Sequence, residues 1–343
     1  MTYQSIRPGQ EWLDNDGEWI HAHGGSIHLD GATFYWYGEN KERTVPGSGI
    51  WHWGVRCYSS TDLYNWQDLG LIIPPDVDAP DSPLHPAQKM DRPHIIFNPA
   101  TKKYVCWLKI MGEGEVQSST VLTSDSFLGP YQVVRSWLLP HGMSAGDFDL
   151  TVNPADGRGY YYFERVHSAL ICADLTDDFT DVGDEYSTHF PHPSPPSVRE
   201  APAYFQRNQK HYLITSSTTG YVPNQSEVAV ADAYHGPWTV LGDPHPGSAS
   251  RSSFCSQISS VFRHPEKKDL FIAMADRWLP ELSDEIIDRV RQGEPLDSLV
   301  NDINTLVFDP NTSLADYVWL PLRFEGDMPT IDWREEWRIE EFR

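Results

Sequence analysis

The order of apolar and polar residues repeats along the chain with a period of about 40 to 50 residues. Each repeat begins with an apolar run, passes through a turn rich in Gly, Asn or Lys to an aromatic run, and ends with two shorter runs. Four strands repeated five times predict an all-β fold, a five-bladed β-propeller. The predicted blades span roughly residues 20–75, 88–140, 145–188, 198–245 and 252–335 of a single domain over residues 1–343.

The fourth repeat shows the pattern most clearly, in the segment 198–220. Pro202 fixes the backbone near the start, and apolar and polar residues then alternate as far as a turn at residues 208–209. An apolar and aromatic run follows at residues 211–215. The segment predicts a β-hairpin whose first strand carries a carboxylate, Glu200, at its head.

The first strand of each blade lines the central channel of a propeller, so the residues at the heads of the repeats are expected to converge on one pocket. A glutamate at the head of a strand is otherwise a solvated strand end. The residues in the positions that correspond to Glu200 are His23-Gly24, Asp91-Arg92, Asp147 with Asp149, and Gln257.

Three stretches do not follow the repeat. Residues 83–90 and 189–196 contain prolines and are expected to be ordered connections between blades. Residues 281–303 carry apolar side chains at helical spacing, which predicts a short helical insertion in the last blade. The apolar face of this helix consists of Leu282, Ile286, Ile287 and Val290, and we expect it to pack against the blade.

The charge of the chain restricts its partners. With 49 acidic and 26 basic residues the net charge is −23, which argues against nucleic acid or an anionic membrane surface and favours a neutral partner. Apolar runs stay well short of the roughly 20 residues of a membrane span, and the N-terminal residues lack the features of a signal peptide, so a cytoplasmic location is predicted. The oligomeric state is not predicted.

The cysteines and aromatic residues add two expectations. Four cysteines are scattered through apolar runs without a CxxC pair, so they are expected to be buried reduced thiols. The 13 Trp and 16 Tyr exceed what a core of this size needs, and exposed rings of this kind stack on the C–H faces of sugars. Either core packing or a sugar platform can explain the aromatic residues near the predicted mouth, which are Trp51, Trp53, Tyr221 and Trp278.

The converging carboxylates suit the cleavage of a glycosidic bond. Such a reaction needs a proton donor and, in an inverting mechanism, a base about 6.5 to 9.5 Å away that activates water. A neighbouring carboxylate keeps the donor protonated by repulsion between like charges. Glu200 and Asp147, on adjacent inner strands, form such a pair, although Asp149 shares a face with Asp147 and is an alternative neighbour. A solvated strand edge at residues 147–149 also remains open.

Several motifs, taken in order, resemble a known family. They are AHGG and YWYGE in the first repeat, DRP with a later Asn in the second, DFDL before DG in the third, REAPA with TTG in the fourth, and SQIS in the fifth. This set resembles glycoside hydrolase family 43 and, more narrowly, its exo-β-1,3-galactanases. The resemblance extends from Gly17 to Trp337.

The resemblance implies roles for the converging residues. It makes Glu200 the general acid and Asp147 the carboxylate that raises its pKa. Most of the family has an aspartate base at the head of the first blade, where this chain has the run 21–25 (HAHGG). The galactanases share this absence, and a glutamine that holds water in the last blade corresponds to Gln257. An amide is a poor base, so Gln257 would orient water or act through its imidic tautomer, and His23 is a further candidate base.

The resemblance also implies a sugar-binding set. Glu39 is the expected hydroxyl acceptor, and Asp91, Arg92 and Thr219 are expected around the terminal sugar. Asp91 stands where the galactanases usually have glutamate, which moves the carboxylate by about 1.5 Å and leaves an arabinofuranosyl or galactofuranosyl unit open. Related enzymes often carry a calcium ion or water in the central channel, so the resemblance leaves a structural calcium ion open for this chain. No cofactor is expected to be required, because the chain has no EF-hand spacing.

These features predict an inverting, exo-acting glycoside hydrolase that releases terminal galactose from neutral β-1,3-linked galacto-oligosaccharides. The same scaffold could instead carry an α-L-arabinofuranosidase or a β-D-galactofuranosidase. The absence of the aspartate base in the first blade motivates a third hypothesis, a carbohydrate-binding propeller without catalytic activity.

Overall fold

The computed structural model describes residues 2–112, 116–300 and 309–343. In these residues the strands form five antiparallel sheets of four strands each. In every sheet the strands pair in chain order, so each sheet is a meander built from one sequence repeat. Most residues in the first two strands of each sheet are buried, because these strands are covered on both faces by the neighbouring blades.

Blade 1 contains β1 (His23–Asp30), β2 (Thr33–Glu39), β3 (Val55–Ser60) and β4 (Gln67–Ile73). Blade 2 contains β5 (Lys89–Asn98), β6 (Lys103–Met111), β7 (Gln117–Ser124) and β8 (Gln132–Leu138). Blade 3 contains β9 (Ala145–Val152), β10 (Gly159–Arg165), β11 (Ala169–Leu175) and β12 (Val182–His189). Blade 4 contains β13 (Arg199–Arg207), β14 (Lys210–Ser217), β15 (Glu227–Ala231) and β16 (Thr239–Gly242). Blade 5 contains β17 (Gln257–Arg263), β18 (Phe271–Arg277), β19 (Asp316–Glu325) and β20 (Met328–Ile331).

The five sheets close into a ring. The inner strands β1, β5, β9, β13 and β17 each contact the inner strands of both neighbouring blades, and blade 5 thereby meets blade 1. An isolated bridge between Ile6 and Trp337 joins the N-terminal and C-terminal segments beside this closure. The predicted five-bladed β-propeller is therefore confirmed.

Much of the tryptophan content serves packing between the first and last blades. Trp36, Trp66, Trp319 and Trp337 are completely buried. The ring centroids of Trp36 and Trp319 lie 4.6 Å apart, and the indole of Trp337 donates a hydrogen bond of 2.9 Å to the carbonyl of Trp319. These rings fill the wedge between blades 1 and 5 with large apolar area and a satisfied polar edge. The four cysteines are free and buried, as predicted.

One short helix, α1 (Asp284–Arg291), is inserted between β18 and β19. The Ser283 side chain caps its N-terminus by accepting a hydrogen bond from the backbone N–H of Ile286, and Gly293 with a φ of 100° follows its end. Ile287 and the preceding Leu282 are buried beside Trp278, so this face packs against the blade as expected. Positions 301–303 of the predicted helical insertion lie outside the described residues.

None of the helices in the described ranges combines the length and the apolarity required to cross a bilayer. The cytoplasmic location stays a prediction.

Candidate active site

A cavity of about 670 Å³ opens at the heads of the inner strands. Every blade contributes predicted site residues to its wall, which contains Glu39, Asp91, Arg92, Asp147, Glu200 and Gln257. The convergence expected from the sequence repeat is therefore present. Residues that are far apart in the chain meet here because the first strand of each blade lines the ring axis. Glu39 joins them from the end of β2, where it pairs with His23 at the head of β1.

A β-bulge at the head of each inner strand aims these side chains. In every blade the inner strand carries one residue more than its partner strand at this point. Three of the bulges contain a residue with positive φ, namely Gly24 (60°), Arg92 (55°) and Ala201 (47°). Proline follows Arg92 and Ala201, and a bulge tolerates proline because the ladder hydrogen bond is already broken there. A Cβ on Gly24 would collide with the Glu39 carboxylate, so glycine is needed at that bulge.

Asp147 is held by two cations. The Lys109 Nζ lies 2.6 Å from Asp147 Oδ1, and the Arg92 Nη2 lies 3.0 Å from Asp147 Oδ2. Burial favours the neutral acid, but Arg92 and Lys109 outweigh burial and lower the pKa of Asp147 to about 2. Asp147 is therefore an anion in the cavity at any ordinary pH.

Asp91 shares the same cations. Its Oδ2 lies 3.2 Å from the Lys109 Nζ, and its Oδ1 accepts a hydrogen bond of 2.7 Å from the Trp51 indole. Against the effect of burial, Lys109 and Lys41 lower the pKa of Asp91. Asp91 is therefore an anion in the cavity wall, and each of its carboxylate oxygens contacts a hydrogen-bond donor of the protein.

Glu39 is a deeply buried carboxylate of the wall and is 1% exposed. Its Oε2 lies 3.0 Å from the Lys41 Nζ, and its Oε1 accepts a hydrogen bond of 2.9 Å from the backbone N–H of Arg92. Burial raises the pKa of Glu39 to about 7, although Lys41 acts in the opposite direction. Glu39 therefore titrates near neutral pH.

Glu200 lies on the other side of the cavity. Burial, followed by the charges of Asp147 and Glu164, raises the pKa of Glu200 well above its ordinary value, and Lys109 and Arg92 oppose this only partly. Two carboxylic acids of one cavity, Asp147 and Glu200, therefore have pKa values displaced in opposite directions. Such a pair is characteristic of acid–base chemistry.

Gln257 links the two sides of the cavity. Its Nε2 donates to the Ser216 hydroxyl at 2.9 Å and contacts Glu200 Oε1 at 3.4 Å. Its Oε1 accepts hydrogen bonds from Arg92 Nη2 and, at 3.3 Å, from the Trp278 indole. These contacts fix the orientation of the amide beside Glu200.

Three rings form one wall of the cavity, namely Trp51, Tyr221 and Trp278. The centroids of Trp51 and Tyr221 are 6.2 Å apart, and those of Tyr221 and Trp278 are 5.3 Å apart. A continuous aromatic wall beside hydrogen-bonding carboxylates has the chemical character of a sugar site.

Asp149 and His23 do not line the cavity. The Asp149 carboxylate accepts hydrogen bonds of 2.7 Å from His94 Nδ1 and from the backbone N–H of Tyr204. Simple strand alternation would place it on the face of Asp147, but the bulge opposite Glu164 redirects Asp147. His23 is completely buried between Asp276, 3.0 Å from its Nδ1, and the ring of Tyr317.

Two other predicted residues also lie outside the wall. The Thr219 hydroxyl donates a hydrogen bond of 2.6 Å to the carbonyl of Val222 and accepts one of 2.7 Å from Asn224, so it stabilises its own loop. The Trp53 ring is covered by the Arg43 guanidinium at 3.8 Å, whereas Trp51 occupies the cavity wall.

Several wall residues were not identified from the sequence. Lys109 pairs across the sheet with Asp91, which becomes visible only when the register of β5 and β6 is known. Glu164 follows the aromatic run YYYF within β10, and an acid directly after this buried run was the available signal. In the described residues, no three His, Cys, Asp or Glu side chains are grouped as metal ligands. The structural calcium ion that the family resemblance leaves open for the central channel stays an expectation, and no chemical step is derived through it.

Comparison with known proteins identifies the family. The model of glycosyl hydrolases family 43 matches residues 21–272. A family 43 β-1,3-galactosidase is 27% identical with a TM-score of 0.81, and the match covers 99% of this chain but 64% of that one, so this chain spans less than two thirds of that protein. A second family 43 β-1,3-galactosidase, solved with galactodeoxynojirimycin, is 27% identical with a TM-score of 0.78 over 97% of this chain and 100% of its own.

An exo-β-1,3-galactanase from Clostridium thermocellum is 25% identical with a TM-score of 0.73, over 97% of this chain and 66% of its own. A search of curated protein sequences gave no match. Since the family model covers well over half of the residues, the chain belongs to glycosyl hydrolases family 43.

Proposed function

We propose that this chain is an inverting, exo-acting glycosidase that releases terminal galactose from β-1,3-linked galacto-oligosaccharides. The observation that carries the proposal is a single cavity in which Asp147 is paired with Arg92 and Lys109 while Glu200 contacts the Gln257 amide, so that the pKa values of the two acids are displaced in opposite directions. The names of the similar structures, β-1,3-galactosidase and exo-β-1,3-galactanase, support the choice of sugar and linkage.

Glu200 is the proposed general acid. It gives its proton to the glycosidic oxygen as the bond from that oxygen to the anomeric carbon breaks, and the leaving sugar departs as a neutral alcohol. Asp147 stays ionised beside Arg92 and Lys109, and its negative charge keeps the proton on Glu200 until the substrate takes it.

Gln257 is proposed to position the attacking water. Its amide is fixed by Arg92, Trp278 and Ser216, so a water bound to it has a defined direction of approach. An amide cannot remove a proton efficiently, and Gln257 therefore contributes mainly by orientation. Water adds hydroxide to the anomeric carbon on the face opposite the leaving group, and its remaining proton passes to solvent.

Glu39, Asp91 and the aromatic wall are proposed to bind the terminal sugar. The carboxylates accept hydrogen bonds from sugar hydroxyls, and Trp51 supplies an apolar face for the ring. Asp91 already contacts Lys109 and the Trp51 indole, so its position is set before the substrate arrives. This preorganisation lowers the ordering cost of binding.

The test is hydrolysis of β-1,3-galactobiose, followed by NMR of the released anomer, with wild type and Glu200→Gln. We expect α-galactose as the first product from wild type and a loss of about 10² to 10⁴-fold in Glu200→Gln. Glu227→Gln is the matched control, because Glu227 lies in the same blade outside the cavity wall and should keep the wild-type rate.

The other hypotheses predict different results in this assay, in a panel of nitrophenyl glycosides or in calorimetry. A rate for Glu200→Gln equal to wild type would overturn the assignment of the acid. Cleavage confined to arabinofuranosides or galactofuranosides in a panel of nitrophenyl glycosides would be consistent with the proposed catalytic residues but would show a different sugar specificity. Binding of galactobiose in calorimetry without any product would indicate a carbohydrate-binding propeller instead.

A further inference from the structure

A second carboxylate faces the region of Glu200 and has no role in the mechanism above. Glu164, near the end of β10, lines the same cavity and is 1% exposed. Its Oε1 lies 2.8 Å from Nδ1 of His167, which also belongs to the cavity wall. A buried carboxylate costs stability unless it is paired, and His167 supplies that partner to Glu164.

The backbone makes room for this carboxylate. Glu164 stands opposite the bulge of β9 that contains Gly146 and Asp147. A Cβ at position 146 would collide with the Glu164 carboxylate, so glycine there allows Glu164 to lie against the backbone that carries Asp147. The same bulge therefore directs Asp147 and, through Gly146, leaves space for the Glu164 carboxylate.

The charged groups around Glu164 come from four elements. They are His167 in the turn after β10, Asp147 on β9, Lys109 on β6 and Glu200 on β13. Burial raises the pKa of Glu164 above its ordinary value, and the hydrogen bond and charge of His167 oppose this effect only in part. Lys109 lies closer to other carboxylates, with its Nζ 2.6 Å from Asp147 and 3.2 Å from Asp91. Lys109 is thus engaged mainly with Asp147 and Asp91.

We propose that Glu164 is a positioning residue that acts through Glu200, its negative charge joining that of Asp147 to keep the acid protonated at neutral pH. This inference rests on the proposed function of Glu200. Glu164 makes no contact with the scissile bond in this account and serves neither as acid nor as base. Asp147 and Glu164, on successive strands of blade 3, then both favour the protonated form of Glu200 on blade 4.

The test is the pH dependence of kcat/KM for Glu164→Gln, which keeps the shape of the side chain and removes its charge. With β-1,3-galactobiose, whose leaving group needs a proton, the ratio of kcat/KM at pH 8 to that at pH 5 should fall about threefold or more relative to wild type. With a dinitrophenyl galactoside, whose leaving group needs no proton, the ratio should stay as in wild type.

Two further variants separate charge from structure. Glu164→Asp keeps the charge and should restore most of the wild-type ratio. Asp174→Asn removes the blade 3 carboxylate of another histidine–carboxylate pair, in which His235 of blade 4 lies at 2.7 Å. This pair is outside the cavity wall, so the variant should leave the ratio unchanged. An unchanged ratio in Glu164→Gln with galactobiose, or equal changes with both substrates, would overturn the inference.

A readout without turnover separates this inference from the proposed function. In protein labelled with ¹³C at the glutamate carboxyl groups, the Glu200 resonance is the one missing from Glu200→Gln. Its titration midpoint should move to lower pH in Glu164→Gln, whether or not galactobiose is the substrate. If the midpoint moves but wild type cleaves no glycoside, the proposed function fails and the coupling stands. If wild type cleaves galactobiose and the midpoint stays, the coupling alone fails.

Discussion

The two sides of the cavity carry the same kind of side chain in opposite electrostatic settings. On the side of blades 1 and 2, the carboxylates Glu39 and Asp91 alternate with Lys41 and Lys109, and the row ends at Asp147, which Arg92 also contacts. On the side of blades 3 and 4, Glu164 on β10 and Glu200 on β13 both line the cavity, with a histidine and an amide as their hydrogen-bonding neighbours. We call the first set the paired wall and the second the acid wall.

The difference shows that burial alone does not decide the protonation of a carboxylate. Burial is the largest influence on the pKa of both Asp147 and Glu200, and it acts upward in both. The pKa of Asp147 is nevertheless lowered, because two cations lie within 3.0 Å. The placement of cations on one side therefore generates an acid and an anion from residues of similar intrinsic acidity.

Removing a cation from the paired wall should have the largest effect. Lys109→Met leaves Asp91 and Asp147 buried with incomplete compensation, and we expect the free energy of unfolding to fall by about 3 to 5 kcal/mol. Lys109 also lowers the pKa of Glu200, so the alkaline limb of kcat/KM should move to higher pH in this variant. Urea unfolding followed by tryptophan fluorescence and a pH profile measure the two effects.

The control for this variant is Lys103→Met in the same strand. Lys103 pairs with Asp125 at 2.6 Å, but both side chains are solvent-exposed, so we expect a change within about 1 kcal/mol and an unaltered pH profile. Similar losses of stability in both variants would mean that the paired wall holds no special electrostatic role.

Removing the anion next to the acid wall should have the opposite sign in the pH profile. In Asp147→Asn the charge that keeps Glu200 protonated is lost, while Arg92 and Lys109 remain and favour the carboxylate of Glu200. The pKa of Glu200 should fall, the alkaline limb should move to lower pH, and kcat for galactobiose at neutral pH should fall about 10²-fold. An alkaline limb that moves in the same direction as in Lys109→Met would contradict the electrostatic account.

The sequence predicted the ring and the convergence of the strand heads on one cavity, because both follow from the repeat. Alternation and turn residues define the strands, and the heads of inner strands must meet, so Glu200, Asp147 and Gln257 could be placed together in advance. Bulges interrupt alternation without leaving a clear pattern, and the expectation that Asp149 would share the face of Asp147 failed for this reason. Lys109 required the register of β6 against β5, which periodicity does not determine.

Asp149 provides a smaller, purely structural contrast with Asp147 on the same strand. Its carboxylate accepts hydrogen bonds from His94 in blade 2 and Tyr204 in blade 4, so Asp149→Asn should lower the free energy of unfolding by about 1 to 3 kcal/mol. The alkaline limb and the rate per folded molecule should stay at wild-type values. Thermal unfolding and the pH profile together test this, and an alkaline limb displaced as in Asp147→Asn would return Asp149 to the site.

The smallest expected effect concerns the two neighbouring tryptophans at the edge of the paired wall. Trp51→Phe keeps an aromatic face in the cavity but removes the indole N–H that donates to Asp91 at 2.7 Å. The freed carboxylate of Asp91 is then less well oriented toward the sugar, and KM for galactobiose should rise about fivefold, equivalent to about 1 kcal/mol, with kcat nearly unchanged. Trp53→Phe should alter neither constant, because the Trp53 ring packs under Arg43 outside the wall. A rise in KM for Trp53→Phe as large as that for Trp51→Phe would instead support the sequence-based placement of Trp53 in the sugar site, and the paired wall would then extend beyond the cavity described above.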